Sequence, residues 1–229
     1  MSRKKLLIDY IPSVLAAILI IIFAVIKEQT LLKTLPTLIT LVVLLMSVNA
    51  NRYAFLLGAG NSILYAIAYL DEGLYFSAAS ALLVSLPIQI FSFFHWTRHR
   101  SGRTGAVLKV MKHWHLALTV ISVFPLWALC YFGLSAFFTG NFAALDSLLF
   151  VLGILVSVLV ALRFIEGQYI NAVSCLISLA MWILICIDNP DNMNYVIIAL
   201  YNLFRTVEAS ASWTALYLRG KNDRKAIQG

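Results

Sequence analysis

The chain has 229 residues, of which 62% are hydrophobic and only 12% charged, and its mean hydropathy is +0.90. That composition excludes a soluble globular domain and identifies an all-α polytopic membrane protein. The net charge of +7 is gathered between apolar segments, a distribution that reflects membrane topology rather than nucleic-acid binding.

Eight apolar segments follow one another at 6–26, 31–48, 53–70, 74–96, 116–139, 145–162, 168–187 and 193–217. At ~1.5 Å per residue each approaches or exceeds the ~30 Å of a hydrocarbon core. The first follows Met-Ser-Arg-Lys-Lys, is longer than a signal-peptide apolar region and lacks a small-residue cleavage site, so it is expected to stay as a span. Of the 17 basic residues, all but Lys27, Lys33 and Arg205 fall on one side of an eight-span chain. They are Arg3, Lys4 and Lys5 before the first span and Arg52 after the second. Arg98, Arg100, Arg103, Lys109 and Lys112 follow the fourth, Arg163 the sixth, and Arg219, Lys221, Arg224 and Lys225 form the tail. Glu28, Asp71, Glu72, Asp146, Asp188 and Asp191 occupy the other side. The positive-inside rule then predicts a multi-pass protein of the cell membrane with both termini cytoplasmic.

Taken in order, the spans carry polar stripes. The second has Thr37, Thr40 and Ser47 at near-helical spacing, and the third has Gly58, Asn61, Tyr65 and Tyr69. The fourth is uncharged, yet Ser77, Ser80, Ser85, Gln89, Ser92 and Trp96 fall along one side. Pro87, within it, frees the carbonyl of Leu83 and predicts a kink or a spare acceptor. The seventh offers Gln168, Asn171, Ser174 or Cys175, Ser178 and Trp182, and the eighth Tyr201, Asn202, Arg205, Glu208 and Ser212. Lipid cannot satisfy such stripes, so they must face protein or water. Two readings stay open: interhelical hydrogen bonding with aromatic belts, or a polar path for a solute. For Arg205 and Glu208, three apart, the choice is between a neutralised pair that fixes packing and a contact to solute.

Asn51–Trp96 and Leu162–Trp213 also share a faint pattern: an Arg (52, 163), an Asn further on (61, 171), an acidic turn, and a closing Trp. Both start on the same side, as parallel repeats related by an axis along the membrane normal do. The expected organisation is an extra N-terminal helix over 1–30 and a first three-helix repeat over 31–97. A basic cytoplasmic loop and linker helix (98–144), a second repeat (145–218) and a basic tail (219–229) follow. The basic loop holds His99, His113 and His115 with no carboxylate close in sequence, and Cys130, Cys175 and Cys186 all lie in apolar segments. Neither a metal nor any other cofactor is expected, nor a disulfide framework.

These residues resemble the PnuC family of vitamin transporters, related in architecture to the SWEET sugar carriers. The resemblance runs from about Asn51 to Trp213. It is carried by N-R-Y-A-F-L-L-G-A-G-N-S-I-L-Y, G-L-Y-x-S-A, P-I-Q-I-F-S-F-F-H-W, D-S-L-L-F-V-L-G, L-R-F-I-E and the closing S-W. It implies a SWEET-like 3+1+3 core, here with an extra first helix, and a homotrimer. It also implies uptake of nicotinamide riboside or a relative by facilitated diffusion, with a cytoplasmic kinase trapping the product. Where the family often has N-x-x-G before the Trp of the fourth span, this chain has Gln89 and Ser92. Where W-x-x-W typically opens the seventh, it has Gln168-Tyr169-Ile170-Asn171, and Glu208 stands where Asn is common. A solute site is expected between the two repeats, touched by Asn61, Tyr65, Gln89, Gln168, Asn171, Trp182, Asn202 and Glu208. Thiamine is the alternative solute. A structural or channel-like assembly is the alternative of a different class. No G-x-x-x-x-G-K loop and no cluster of catalytic side chains favours an enzyme.

Overall fold

A computed structural model describes residues 3–28, 31–71, 81–98, 100–101, 105–106, 108–135, 143–188 and 193–228. Outside them fall Glu72, Ser77, Ser80, His99, Arg103 and Asp191, together with the side chains of Lys33 and Tyr69. The described residues form eight helices, one for each apolar segment. These are α1 (Arg3–Ile26), α2 (Leu31–Val48), α3 (Tyr53–Asp71) and α4, a π turn (Ala81–Ser85) running into Leu86–Arg98. The others are α5 (His113–Ser135), α6 (Ala143–Ala161), α7 (Glu166–Asp188) and α8 (Met193–Gln228). A two-residue hairpin pairs β1 (Arg100–Ser101) with β2 (Gly105–Ala106) in the basic loop. Among the described residues α5, α6 and α7 each carry a stretch long and apolar enough to cross a membrane, with shorter apolar stretches in α1, α2 and α3.

Six helices form a ring. Helix α2 packs on α3, α3 on α4, α4 on α6, α6 on α7, α7 on α8, and α8 back on α2. Helix α1 lies outside against α2 and α8, and α5 outside against α6. On α3 the large apolar residues Leu56, Ile63 and Ile67 are exposed while Asn61, Ser62 and Ala54 are buried. On α7, Val173, Leu176 and Ile187 are exposed while Gln168, Cys175 and Met181 are buried. The apolar faces are thus left to lipid and the polar stripes are turned inward, as the cost of unsatisfied polar groups in hydrocarbon requires.

The π turn of α4 has a local cause. A proline ring at position 87 clashes with the carbonyl of Leu83 and offers it no N–H. Widening the turn over Ala81–Ser85 accommodates the misfit without ending the helix.

Helices α2 and α6 end alike. Asn51 N donates to Met46 O (3.2 Å) and Ala50 N to Ser47 O (2.9 Å). Phe164 N donates to Leu159 O (2.9 Å) and Arg163 N to Val160 O (3.0 Å). Ala50 (φ 50°) and Arg163 (φ 69°) are left-handed, so each end is a Schellman cap built without glycine. After the first cap Asn51 Oδ1 accepts from Tyr53 N (3.0 Å), starting α3. After the second, Gly167 lets α7 start close to α6, since a Cβ there would meet Leu159 Cβ at 3.0 Å and the Val160 backbone N at 3.2 Å. The basic loop is pinned to this turn: Lys109 N donates to Arg163 O (2.9 Å), Ile165 N to Lys109 O (3.1 Å) and Met111 N to Glu166 Oε1 (2.9 Å).

Candidate functional site

At the end of the ring that carries Arg52, Arg98 and Arg163, two tryptophans meet. Trp96 of α4 and Trp213 of α8 are each 1% exposed, with ring centroids 5.1 Å apart. Trp96 Nε1 donates to Val160 O and Trp213 Nε1 to Ser47 O, both at 3.0 Å. Phe55 packs edge-on to Trp96 at 5.1 Å, and Val48, Leu108, Ile165 and Ala209 complete the cluster. Gln168 lies here too, lining with Ser47, Asn51 and both tryptophans a cavity of ≈ 20 Å³. That is room for about one water, not for a nucleoside, so the ring is shut at its basic end.

Away from this plug the inward stripes form three polar groupings. In the first, Thr40 donates to Pro36 O (2.9 Å) while its oxygen serves Asn61 Nδ2 (3.0 Å) and Tyr65 Oη (3.1 Å). Asn61 Nδ2 also reaches Pro36 O (3.1 Å), and Asn61 Oδ1, buried, has no hydrogen-bond partner among the described residues. One turn back, Gln89 lies across Gly58, where a Cβ would collide with Gln89 Oε1, and its Nε2 approaches Ser62 Oγ (3.4 Å). The missing side chain at Gly58 is what admits the Gln89 amide to the α3 face.

In the second grouping Asn171 Nδ2 donates to Thr206 Oγ1 (3.2 Å), and Cys175 Sγ lies 3.5 Å from the same oxygen. The third is aromatic. Trp182 and Tyr195 stack at 4.4 Å with planes 14° apart. Asn202 is half-buried on α8.

Arg205 and Glu208 pair at 2.5 Å, but not alone. Arg205 is 1% exposed and also donates through Nη2 to Ser13 Oγ (2.6 Å) and through Nε to Tyr201 Oη (3.0 Å). The Ser13 and Tyr201 hydroxyls are 2.7 Å apart, and Tyr201 reaches Leu41 O (3.4 Å). The pair therefore sits where α1 meets α2 and α8, with its cation fully partnered.

The sequence-predicted residues thus fall into separate places: Asn61, Tyr65 and Gln89 together on α3 and α4, Asn171 on the α7–α8 seam, Trp182 beside Tyr195, Gln168 in the plug, and Glu208 at α1. Sequence reasoning missed Ser13, Thr206 and Tyr195. Thr206 stands next to Arg205 and Tyr195 next to Asn194, neither on the stripes read from the sequence, and Ser13 lies 192 positions from Arg205. Among the described residues no group of three or more His, Cys, Asp or Glu is placed to hold a metal ion. A groove of ≈ 280 Å³ between α4 and α6, lined by Pro87, Ile88, Phe91, Val158, Ala161 and Leu162, is apolar and suits an acyl chain rather than a polar solute.

Compared with known proteins, residues 30–214 match the family described as nicotinamide mononucleotide transporter. The fold is similar to that in the crystal structure of the vitamin B3 transporter PnuC, with a TM-score of 0.77 at 19% identity over 92% of each chain. None of the curated proteins matches this sequence.

Proposed function

We propose that this chain, which belongs to the nicotinamide mononucleotide transporter family, carries nicotinamide riboside into the cell by facilitated diffusion. It is a multi-pass membrane transporter and not an enzyme. The observation that supports the solute path most is the inward turn of amide-bearing stripes on α3, α4 and α7, in a ring shut at one end by Trp96 and Trp213. Amides grip the polar edges of a small solute while Tyr65, Trp182 and Tyr195 cover its faces.

The remaining parts of the reading belong to the same proposal. The matched caps of α2 and α6, each receiving a tryptophan from the opposite half, support two parallel three-helix repeats, 31–97 and 145–218, with 1–30 and 98–144 added outside. The shut basic end is the cytoplasmic end, with both termini beside it. Facilitated entry becomes net uptake when a cytoplasmic kinase phosphorylates the product, because a charged phosphate cannot leave by a path matched to a nucleoside. The working unit is a trimer.

The test is uptake of labelled vitamins by cells whose own pyridine-nucleoside uptake is removed and which make this chain. Entry of nicotinamide riboside supports the reading, whereas entry of thiamine alone replaces the solute while keeping the carrier. Among the site residues Glu208 does not favour one cation over another, since its charge is already met by Arg205.

A further inference from the structure

The Asn61 amide is held in one orientation. Its Nδ2 faces Pro36 O, which can only accept, and Thr40 Oγ1, whose hydrogen is directed to Pro36 O at 2.9 Å. Turning the amide over would aim its oxygen at the Pro36 carbonyl and lose that bond, and Thr40 could donate to the turned oxygen only by giving up its own bond to Pro36 O, so the network, not the atom shapes, fixes which end is oxygen. That oxygen is buried, in a residue 6% exposed, and accepts no hydrogen bond among the described residues. The large majority of buried side-chain polar atoms are satisfied, and an exception on an inward stripe needs a reason. Tyr65 lies one turn further along α3, and Gly58 with the Gln89 amide one turn back.

We propose that Asn61 Oδ1 is a specificity-determining acceptor: it takes an N–H or O–H donor from the solute and refuses an acceptor. A pyridine solute bearing a carboxamide can present such a donor. Its carboxylate counterpart brings only acceptors, and a negative charge, against an oxygen that cannot turn away. Asn61 therefore sorts amides from acids of otherwise identical shape. The inference rests on the transport of a pyridine nucleoside proposed above and adds the atom that reads its substituent.

The experiment is equilibrium binding to the purified full chain of two probes, nicotinamide riboside and nicotinic acid riboside. The amide should bind at least tenfold more tightly than the acid. Asn61→Leu, which keeps the number and branching of the side-chain heavy atoms and lacks the acceptor, should weaken amide binding at least tenfold and bring the two affinities together. Equal affinities in the unaltered protein overturn the inference, as does a preference that survives in Asn61→Leu; either result would mean that a water or a neighbouring side chain serves the oxygen. Should Asn61→Leu fail to fold, Thr40→Val is the second variant. It removes one anchor of Nδ2, so the preference should fall although the asparagine remains, and an unchanged preference again overturns the inference. Binding of neither probe by the folded, unaltered chain would contradict the pyridine-nucleoside reading itself, a result distinct from binding both alike.

Discussion

Trp96 and Trp213 hold each other's half of the ring by the same bond. Each indole N–H donates at 3.0 Å to the carbonyl three residues before a left-handed cap residue, Val160 before Arg163 and Ser47 before Ala50, while the two rings pack at 5.1 Å. Loss of either should therefore cost alike. Trp96→Ala and Trp213→Ala are each expected to lower stability by about 3–5 kcal/mol, through lost burial and the cavity left behind. Trp→Phe at either position removes chiefly the N–H bond, about 0.5–1.5 kcal/mol. Thermal unfolding of the purified variants in detergent checks the equivalence, and a large effect at one position only would contradict it.

Gly58 separates packing from binding. A methyl there meets the far end of a flexible side chain, Gln89 Oε1, and not backbone, so the chain can yield by moving the amide. Gly58→Ala also improves helix propensity by about 1 kcal/mol. The variant should fold and assemble at least as well as the unaltered protein while its solute affinity falls roughly tenfold, as should that of Gln89→Ala, on the ~1–3 kcal/mol scale of a lost buried hydrogen bond. Binding measured on the purified variants decides, and unchanged affinity in both would remove Gln89 from the site.

Arg205 and Glu208 should behave as one unit. Changing either to a neutral residue leaves a buried charge and is expected to cost about 3–5 kcal/mol, whereas the double change costs less. Ser13→Ala, which takes from Arg205 only the 2.6 Å bond to α1, should cost about 1.5–3 kcal/mol as a hydrogen bond to a charged group. Folded yield by size-exclusion chromatography reads all four. If Glu208→Gln instead folds normally and abolishes uptake, the carboxylate touches solute.

How much of this was legible follows from the range of each interaction. Helix number, inward stripes and the Arg205–Glu208 pair are local patterns of apolar spacing and charge cost, and all were readable. The shared cap of α2 and α6 was not readable: the sequence pattern aligns Arg52 with Arg163, whereas the caps align Ala50 with Arg163, because a left-handed residue announces itself only when it is glycine or asparagine. Pro87 signalled a disturbed backbone, but not that the helix would widen rather than kink. Gln168 belongs to the same stripe as Asn171, yet its depth beside the tryptophans depends on where α7 begins against α6. The contacts of Ser13, Thr206 and Tyr195 are made between helices far apart in the chain, which no local period encodes.

Orientation is open to direct test. Reporter domains fused after Lys225 or within 101–105 should read as cytoplasmic, and those inserted near Asp71 or Asp188 as external, because the basic residues lie at the first pair of sites. An external tail would overturn the assignment of the tryptophan plug to the cytoplasmic end.

The central claim is that a small nucleoside passes through the six-helix ring without an energy source of its own. Purified protein in liposomes, with labelled nicotinamide riboside outside and no ion gradient, tests it most directly. The label should enter to equal concentration on both sides and no further, and Gln89→Ala should slow entry roughly tenfold at sub-saturating solute. Entry no faster than in protein-free liposomes, or accumulation that appears only when a proton or sodium gradient is imposed, would contradict it.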